Sequence, residues 1–214
     1  MKRTLYLISL VIPLALFSQE HHSIGLGIKA GLNFANVTNA SSISASNQAG
    51  FNAGIFFAPQ SKSIIGNHTE LVFSRQGYDY ADGSTTSAVN LDYITFAQLM
   101  AINITKFVSI QVGMHFAYLL NAKANGSSEY NTGNNQVNQI LDYYNRYDYG
   151  FGGGVEIHPY KGIIVGARYN ISINQLYKSY TSFPTSDTIP PFIPNTSSIN
   201  LKNNLVQIYA GYRF

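Results

Sequence analysis

The last ten residues, Leu205-Val206-Gln207-Ile208-Tyr209-Ala210-Gly211-Tyr212-Arg213-Phe214, decide the fold. Successive side chains of a strand point to opposite faces. Val206, Ile208, Ala210, Tyr212 and Phe214 therefore share one face, and Leu205, Gln207, Tyr209, Gly211 and Arg213 the other. The first face is apolar throughout and carries aromatics toward its end. The second finishes in glycine and a charge. A strand of this kind reads as the one that closes a membrane barrel, and the rest of the chain tests that reading.

The other end of the sequence reads as an export signal. Lys2 and Arg3 precede an apolar run from Leu5 to Phe17, followed by small or polar residues around Ser18–Glu20. The run is shorter than the roughly 20 apolar residues a membrane-crossing helix needs. The reading is a signal peptide over residues 1–19 and a single barrel domain over 20–214. With no cysteine, a lipid anchor on a thiol and disulfide stapling are both excluded.

The charge balance points away from nucleic acid. Without Lys2 and Arg3 the 13 basic residues become 11, against 10 acidic ones, leaving the exported chain near +1. Charged residues make up only 11% of the sequence, where soluble domains carry about 25%. Tyr (16), Phe (13) and Gly (18) are plentiful instead. That composition suits a chain whose outer surface faces lipid.

Alternating segments recur along the chain. Ile24–Phe34 sets Leu26, Ile28, Ala30, Leu32 and Phe34 against Gly25, Gly27, Lys29, Gly31 and Asn33. A polar segment, Ala35–Ala49, precedes a second strand over Gly50–Ala58, which Pro59 ends because proline cannot donate to a ladder. A third strand over Gly66–Tyr78 sets Leu71 and Phe73 against Glu70, Val72, Ser74 and Gln76. Asp79–Asn90 reads as a loop, and the fourth strand, Leu91–Ile102, alternates poorly. Phe107–Leu120, Tyr147–Ile157 and the segment from Ile163 supply the next three. Asn121–Arg146 and Ser179–Asn200 are long irregular segments, and Gln136–Tyr144 has the character of a short helix.

The expected fold is thus all-β, an eight-stranded antiparallel up-and-down transmembrane barrel. Its strands run roughly 9 to 14 residues, close to the 9–11 or so that cross a bilayer at a tilt, and its connections alternate long and short. A soluble lipocalin-type barrel is the competing fold. Against it, the polar face is built of glycines (25, 27, 31, 113, 150, 152, 154 and 166) around a few charges. Small residues suit an eight-stranded lumen just wide enough for side chains to fill. The apolar face carries no charge through most strands, and an outward Lys or Arg at the bilayer midplane would cost about 2–4 kcal/mol.

The inward charges are Lys29, Glu70, Glu156, Arg168 and Arg213. In a narrow lumen they pair as a plug; the alternative is that they line a passive channel for small solutes. Arg75 falls on the outward face near the rim, within reach of lipid phosphate. His68, His115 and His158 lie singly on different segments, so structural roles are expected rather than a metal site, which needs convergent ligands. No grouping of Ser, His and Asp suggests catalysis, and neither an enzyme nor a cofactor is expected. The segment Phe183–Pro194 puts Phe183, Ile189, Phe192 and Ile193 on a proline-stiffened loop, the candidate contact surface for a protein partner. Tyr143, Tyr144, Tyr147 and Tyr149 read as an interfacial aromatic belt.

Several segments also resemble successive strands of the PorT-like outer-membrane β-barrel family, eight-stranded porin-family barrels of Bacteroidetes-type bacteria. These are Gly27-Ile28-Lys29-Ala30-Gly31-Leu32-Asn33-Phe34, Gly50-Phe51-Asn52-Ala53-Gly54-Ile55, Glu70-Leu71-Val72-Phe73-Ser74-Arg75-Gln76-Gly77, Gly113-Met114-His115-Phe116-Ala117-Tyr118-Leu119-Leu120 and the closing Gly211-Tyr212-Arg213-Phe214. The fourth strand departs: Tyr93-Ile94-Thr95-Phe96-Ala97 stands where such proteins often have Tyr-Leu-Glu-Ile-Pro, removing an inward acid. The resemblance implies a bacterial outer-membrane location, contact with lipid and lipopolysaccharide, and Tyr212 and Phe214 as the signal read by the barrel-assembly machinery. One named member of the family is tied to a protein-secretion system.

Overall fold

The computed structural model describes residues 25–38, 44–59, 63–82, 85–125, 141, 143–178 and 201–214. Eight strands are present: β1 (Leu26–Thr38), β2 (Ser44–Phe57), β3 (Ile65–Asp82), β4 (Thr85–Asn103), β5 (Val108–Asn125), β6 (Tyr147–Tyr160), β7 (Ile163–Ser172) and β8 (Lys202–Arg213). Each pairs antiparallel with its neighbours in sequence, and β1 pairs with β8, so the sheet closes into a barrel. The seam runs from Gly27 opposite Arg213 to Thr38 opposite Lys202. Closure leaves no edge of unpaired backbone groups, the condition lipid imposes on any sheet that crosses it.

The alternation read from the sequence is the division between outside and inside. Ile28, Leu32, Phe51, Ile55, Phe96, Met114, Phe151 and Ile208 are all exposed on the outer wall, whereas Lys29, Asn33, Asn52, Glu70, Gln111, Glu156, Arg168 and Gln207 are buried within it. A continuous exposed apolar belt over a buried polar interior is an inside-out protein, stable only where the belt meets lipid. In β4, Phe96, Gln98 and Met100 face out, while Leu91, Tyr93, Ala97 and Leu99 are buried inward. The pattern reads poorly because Gln98 interrupts the apolar row and Asp92 is tucked beneath Arg75. The register with β5 also slips by one residue, Asp92 pairing with Asn121 and Tyr93 with Leu119, so that Leu120 has no partner.

Several boundaries differ from those read in the sequence. The β3–β4 ladder continues to Asp82 opposite Thr85, leaving only Gly83 and Ser84 where a loop over Asp79–Asn90 was expected. β1 and β2 likewise extend into the polar segment after Phe34. The connections therefore do not alternate strictly between long and short. Outside the membrane a strand needs no apolar face, so backbone pairing runs on without the hydrophobic signature. On the opposite end two of the hairpins are tight: Lys161-Gly162 joins β6 to β7 with Gly162 at a φ of 78°. Between β4 and β5, Thr105 Oγ1 accepts from the backbone N–H of Phe107 and Val108, 3.1 Å each. The signal segment, residues 1–19, and the loop carrying Phe183, Ile189, Phe192 and Ile193 lie outside the described residues. Most of the expected helix over Gln136–Tyr144 does too; of its described residues, Leu141 and Tyr143 have helical backbone.

Candidate functional site: the filled lumen

Three layers of side chains fill the barrel. The layer nearest the short turns is charged. Arg168 of β7 grips Glu70 of β3 with both guanidinium nitrogens, Nη1 to Oε2 at 2.7 Å and Nη2 to Oε1 at 2.8 Å. Lys29 of β1 donates to Glu70 Oε2 at 2.8 Å. Arg168 Nη2 also reaches Gln111 Oε1 at 2.5 Å, and Gln111 Nε2 donates to Glu156 Oε2 at 3.0 Å. Lys29, Glu70, Glu156 and Arg168 are each at most 3% exposed. Isolated, any one of them would cost several kcal/mol to bury. Joined across β1, β3, β5, β6 and β7 as two cations and two carboxylates, they balance.

Three further residues complete this layer, none of them assigned to it from sequence. Tyr209 of β8 lies with its ring 3.8 Å from Lys29 Nζ and its hydroxyl 3.0 Å from Glu156 Oε2. Gln111 Nε2 is 2.9 Å from His68 Nδ1; with the amide donating, the ring proton sits on Nε2. That nitrogen lies 3.0 Å from Glu70 Oε1, out of line for a full hydrogen bond. The signal for all three was present, since each falls on the inward face fixed by its charged neighbours: His68 two residues from Glu70, Gln111 and Tyr209 on the polar faces of their strands. The glycines explain how the layer fits. Tyr209 sits opposite Gly31 and Gly166. A Cβ on Gly166 would fall within 2.5 Å of the Tyr209 hydroxyl, and one on Gly31 within 2.7 Å of its Cα. The bare backbone makes room for the ring beneath the lysine.

Arg213 does not join this network. It lines the turn-side mouth of the barrel and, among the described residues, has no carboxylate within 4.0 Å. It therefore stands apart from the four paired charges with which the sequence grouped it. Without the inward acid of β4 the four-charge layer still balances, as Glu70 contacts both Lys29 and Arg168 and Glu156 supplies the second carboxylate.

The middle layer is uncharged but for Asp148. Asn33 Nδ2 donates to Ser74 Oγ at 2.9 Å, and Asn33 Oδ1 accepts from Asn52 at 2.8 Å and Gln207 at 3.2 Å. Asn203 bridges Gln76 and Asp148. His115 faces this layer from β5.

The loop-side layer is aromatic and aliphatic. Tyr78, Val89, Leu91, Tyr93, Leu119, Leu141, Tyr143, Tyr144, Leu176, Tyr177 and Leu201 form one buried cluster. At its centre the hydroxyls of Tyr78, Tyr144 and Tyr177 meet: Tyr78 to Tyr144 at 2.8 Å, Tyr144 to Tyr177 at 3.2 Å, and Tyr78 bonded to Tyr177. Burial pushes the phenols of Tyr144 and Tyr177 above their ordinary pKa, so both remain protonated donors. Tyr143 and Tyr144 are thus inside the barrel, contrary to the aromatic belt expected of them, while Tyr147 and Tyr149 do face out. Arg75 also departs from expectation. Instead of reaching for lipid phosphate it forks onto Asp92, 2.6 and 3.0 Å, on the outer wall.

Comparison with known proteins agrees with this architecture. Residues 17–178 match the outer membrane protein beta-barrel domain family, and the chain belongs to that family. Among solved structures it is similar to Neisserial surface protein A, with 14% identity, a TM-score of 0.51, 91% of this chain and 100% of that chain covered. Ail, the attachment invasion locus protein of Yersinia pestis, is similar at 16% identity and a TM-score of 0.49, with 89% of this chain and 99% of that one covered. No curated protein sequence matches. The protein is an eight-stranded outer-membrane β-barrel; barrels of this class place their short turns in the periplasm and their longer connections outside the cell, and the two ends of this one are named by that rule.

Proposed function

We propose that this barrel is a closed scaffold that holds its external connections toward a protein partner and does not conduct solutes. The observation that carries the reading is the tyrosine layer, which fills the external end and ties two connections together. Tyr144 forms a bridge with Tyr177, Asn145 N–H donates to Leu176 O at 2.9 Å, and Lys178 N–H to Tyr143 O at 3.0 Å. The roots of the third and fourth external connections therefore share one anchorage. In sequence the fourth connection carries Phe183, Ile189, Phe192 and Ile193, which we take as the contact surface. By its PorT-like sequence features, the process served is protein secretion. Tyr212 and Phe214, stacked edge to face at 5.4 Å on the outer wall, supply the segment read by the barrel-assembly machinery.

Planar bilayer recording on the folded protein separates this reading from a narrow solute channel. A silent membrane is expected, and discrete conductance steps would overturn the closed scaffold. Affinity capture from outer-membrane extracts, comparing the full chain with one whose residues 183–194 are replaced by a Gly-Ser linker, tests the contact surface. Loss of a partner with the linker is expected; unchanged recovery would remove these residues from the proposal.

A further inference from the structure

The periplasmic mouth of the barrel is only half filled. On one side Phe56, Ala58, Ile164 and Tyr209 pack into a small apolar cluster. On the other lies a cavity of about 660 Å³, lined by Asn67, His68, Asn103, Thr105, Lys106, Ser109, Glu156, His158 and Arg213 among others. Its inner end is closed by His68 and Glu156, both members of the charged layer, so the space is a blind pocket open toward the turns.

Its polar groups are unevenly satisfied. Glu156 is occupied: Oε2 accepts from Gln111 and Tyr209, and Oε1 lies 3.5 Å from His158 Nε2, which is also 3.4 Å from Ser109 Oγ. Arg213 is the opposite case. Its Nε is buried without a hydrogen-bond partner, and no carboxylate of the described residues comes within 4.0 Å. Its backbone is held fixed, the N–H donating to Gly162 O at 2.7 Å. Lys106, on the β4–β5 turn, also lines the cavity and contributes a second cation. A buried donor left without an acceptor is destabilising, and more so when it is charged. The pocket thus offers two cations and a row of hydroxyl, amide and imidazole donors, against one carboxylate already engaged.

We propose that this pocket binds an anionic group, a carboxylate or phosphate, presented from the periplasm. Arg213 is its principal ligand through the planar guanidinium fork, and Lys106, Asn103 and His158 line the approach. The neighbouring charged layer stops the ligand from passing further, so the pocket tethers and does not transport. Carboxylates of an acidic peptide and phosphates of a lipid headgroup share this chemistry.

Isothermal titration of the full chain in lipid nanodiscs tests the site, with citrate as the carboxylate probe and inorganic phosphate as the phosphate probe. Saturable binding of at least one probe is expected. Arg213→Gln should weaken it by about tenfold or more, the size of a lost charged hydrogen bond. Lys106→Gln, on an exposed turn where the substitution leaves the barrel intact, should weaken it a few-fold. Native heat-modifiable migration of both variants confirms that they fold; if Arg213→Gln misfolds, Lys106→Gln decides. Preference for citrate assigns the site to a peptide, and preference for phosphate to a headgroup. No saturable binding of either probe, or binding unchanged by both substitutions, overturns the proposal.

Discussion

The two ends of the lumen solve the same filling problem with opposite chemistry. Near the periplasmic turns, Lys29, Glu70, Glu156 and Arg168 form a network in which every charge depends on a partner from another strand. At the external end the Tyr78–Tyr144–Tyr177 cluster depends on aromatic bulk and needs no ion pair. The charged layer fixes which strands stand opposite one another. The aromatic layer fixes where the connections leave the barrel. The first is intolerant of single losses, since one missing partner strands another charge, whereas the second can lose a hydroxyl and keep its packing.

Substitutions should separate the layers in that order. Glu70→Ala leaves Lys29 and Arg168 buried without their shared carboxylate, and a loss of about 3–5 kcal/mol is expected in urea unfolding of the protein in lipid. Gly166→Val keeps the charges but pushes a branched side chain into the Tyr209 ring, and should cost about 1–3 kcal/mol by the same assay. Tyr177→Phe removes one hydroxyl of the triad and should cost only about 1 kcal/mol. Its distinguishing sign is proteolysis of the external connections that quickens more than this small loss of barrel stability accounts for. If Tyr177→Phe proves as damaging as Glu70→Ala, the contrast between the layers fails.

The external layer should also answer to alkali. Burial raises the phenols of Tyr144 and Tyr177 above their unfolded value of 10.0, so the fold retains protons that the unfolded chain gives up. Their contribution is fully present below about pH 10 and is lost as pH rises beyond it. Protease sensitivity of the external connections should therefore increase above that pH, and Tyr177→Phe should reduce the dependence.

Strand count, closure and facing were legible in the sequence because period-two alternation is enforced wherever one face meets lipid. The four paired charges were legible for the same reason: an isolated Lys or Glu on an inward face has nowhere to go but across the lumen. Where lipid stops, the signal stops with it. Asp79–Asp82 and Thr85–Asn90 read as loop although they pair as strand, because no apolar alternation runs through their sequence. Tyr143 and Tyr144 were misread because their position depends on contacts with Tyr78 and Tyr177, 66 and 33 residues from Tyr144, which no local pattern encodes. Arg213 shared the inward parity of the other charges but not their depth, and depth follows from strand tilt and register around the whole ring.

The seam between β1 and β8 joins Gly27 to Arg213 and Thr38 to Lys202. Partners so distant along the chain are the slowest contacts to form. Until β8 is delivered, β1 and β7 remain open ribbons, each a template for any strand nearby. The chain's most aggregation-prone moment is therefore the interval before its last twelve-residue strand arrives, and the rate of that single zipping step sets how long the nascent barrel must be shepherded across the periplasm.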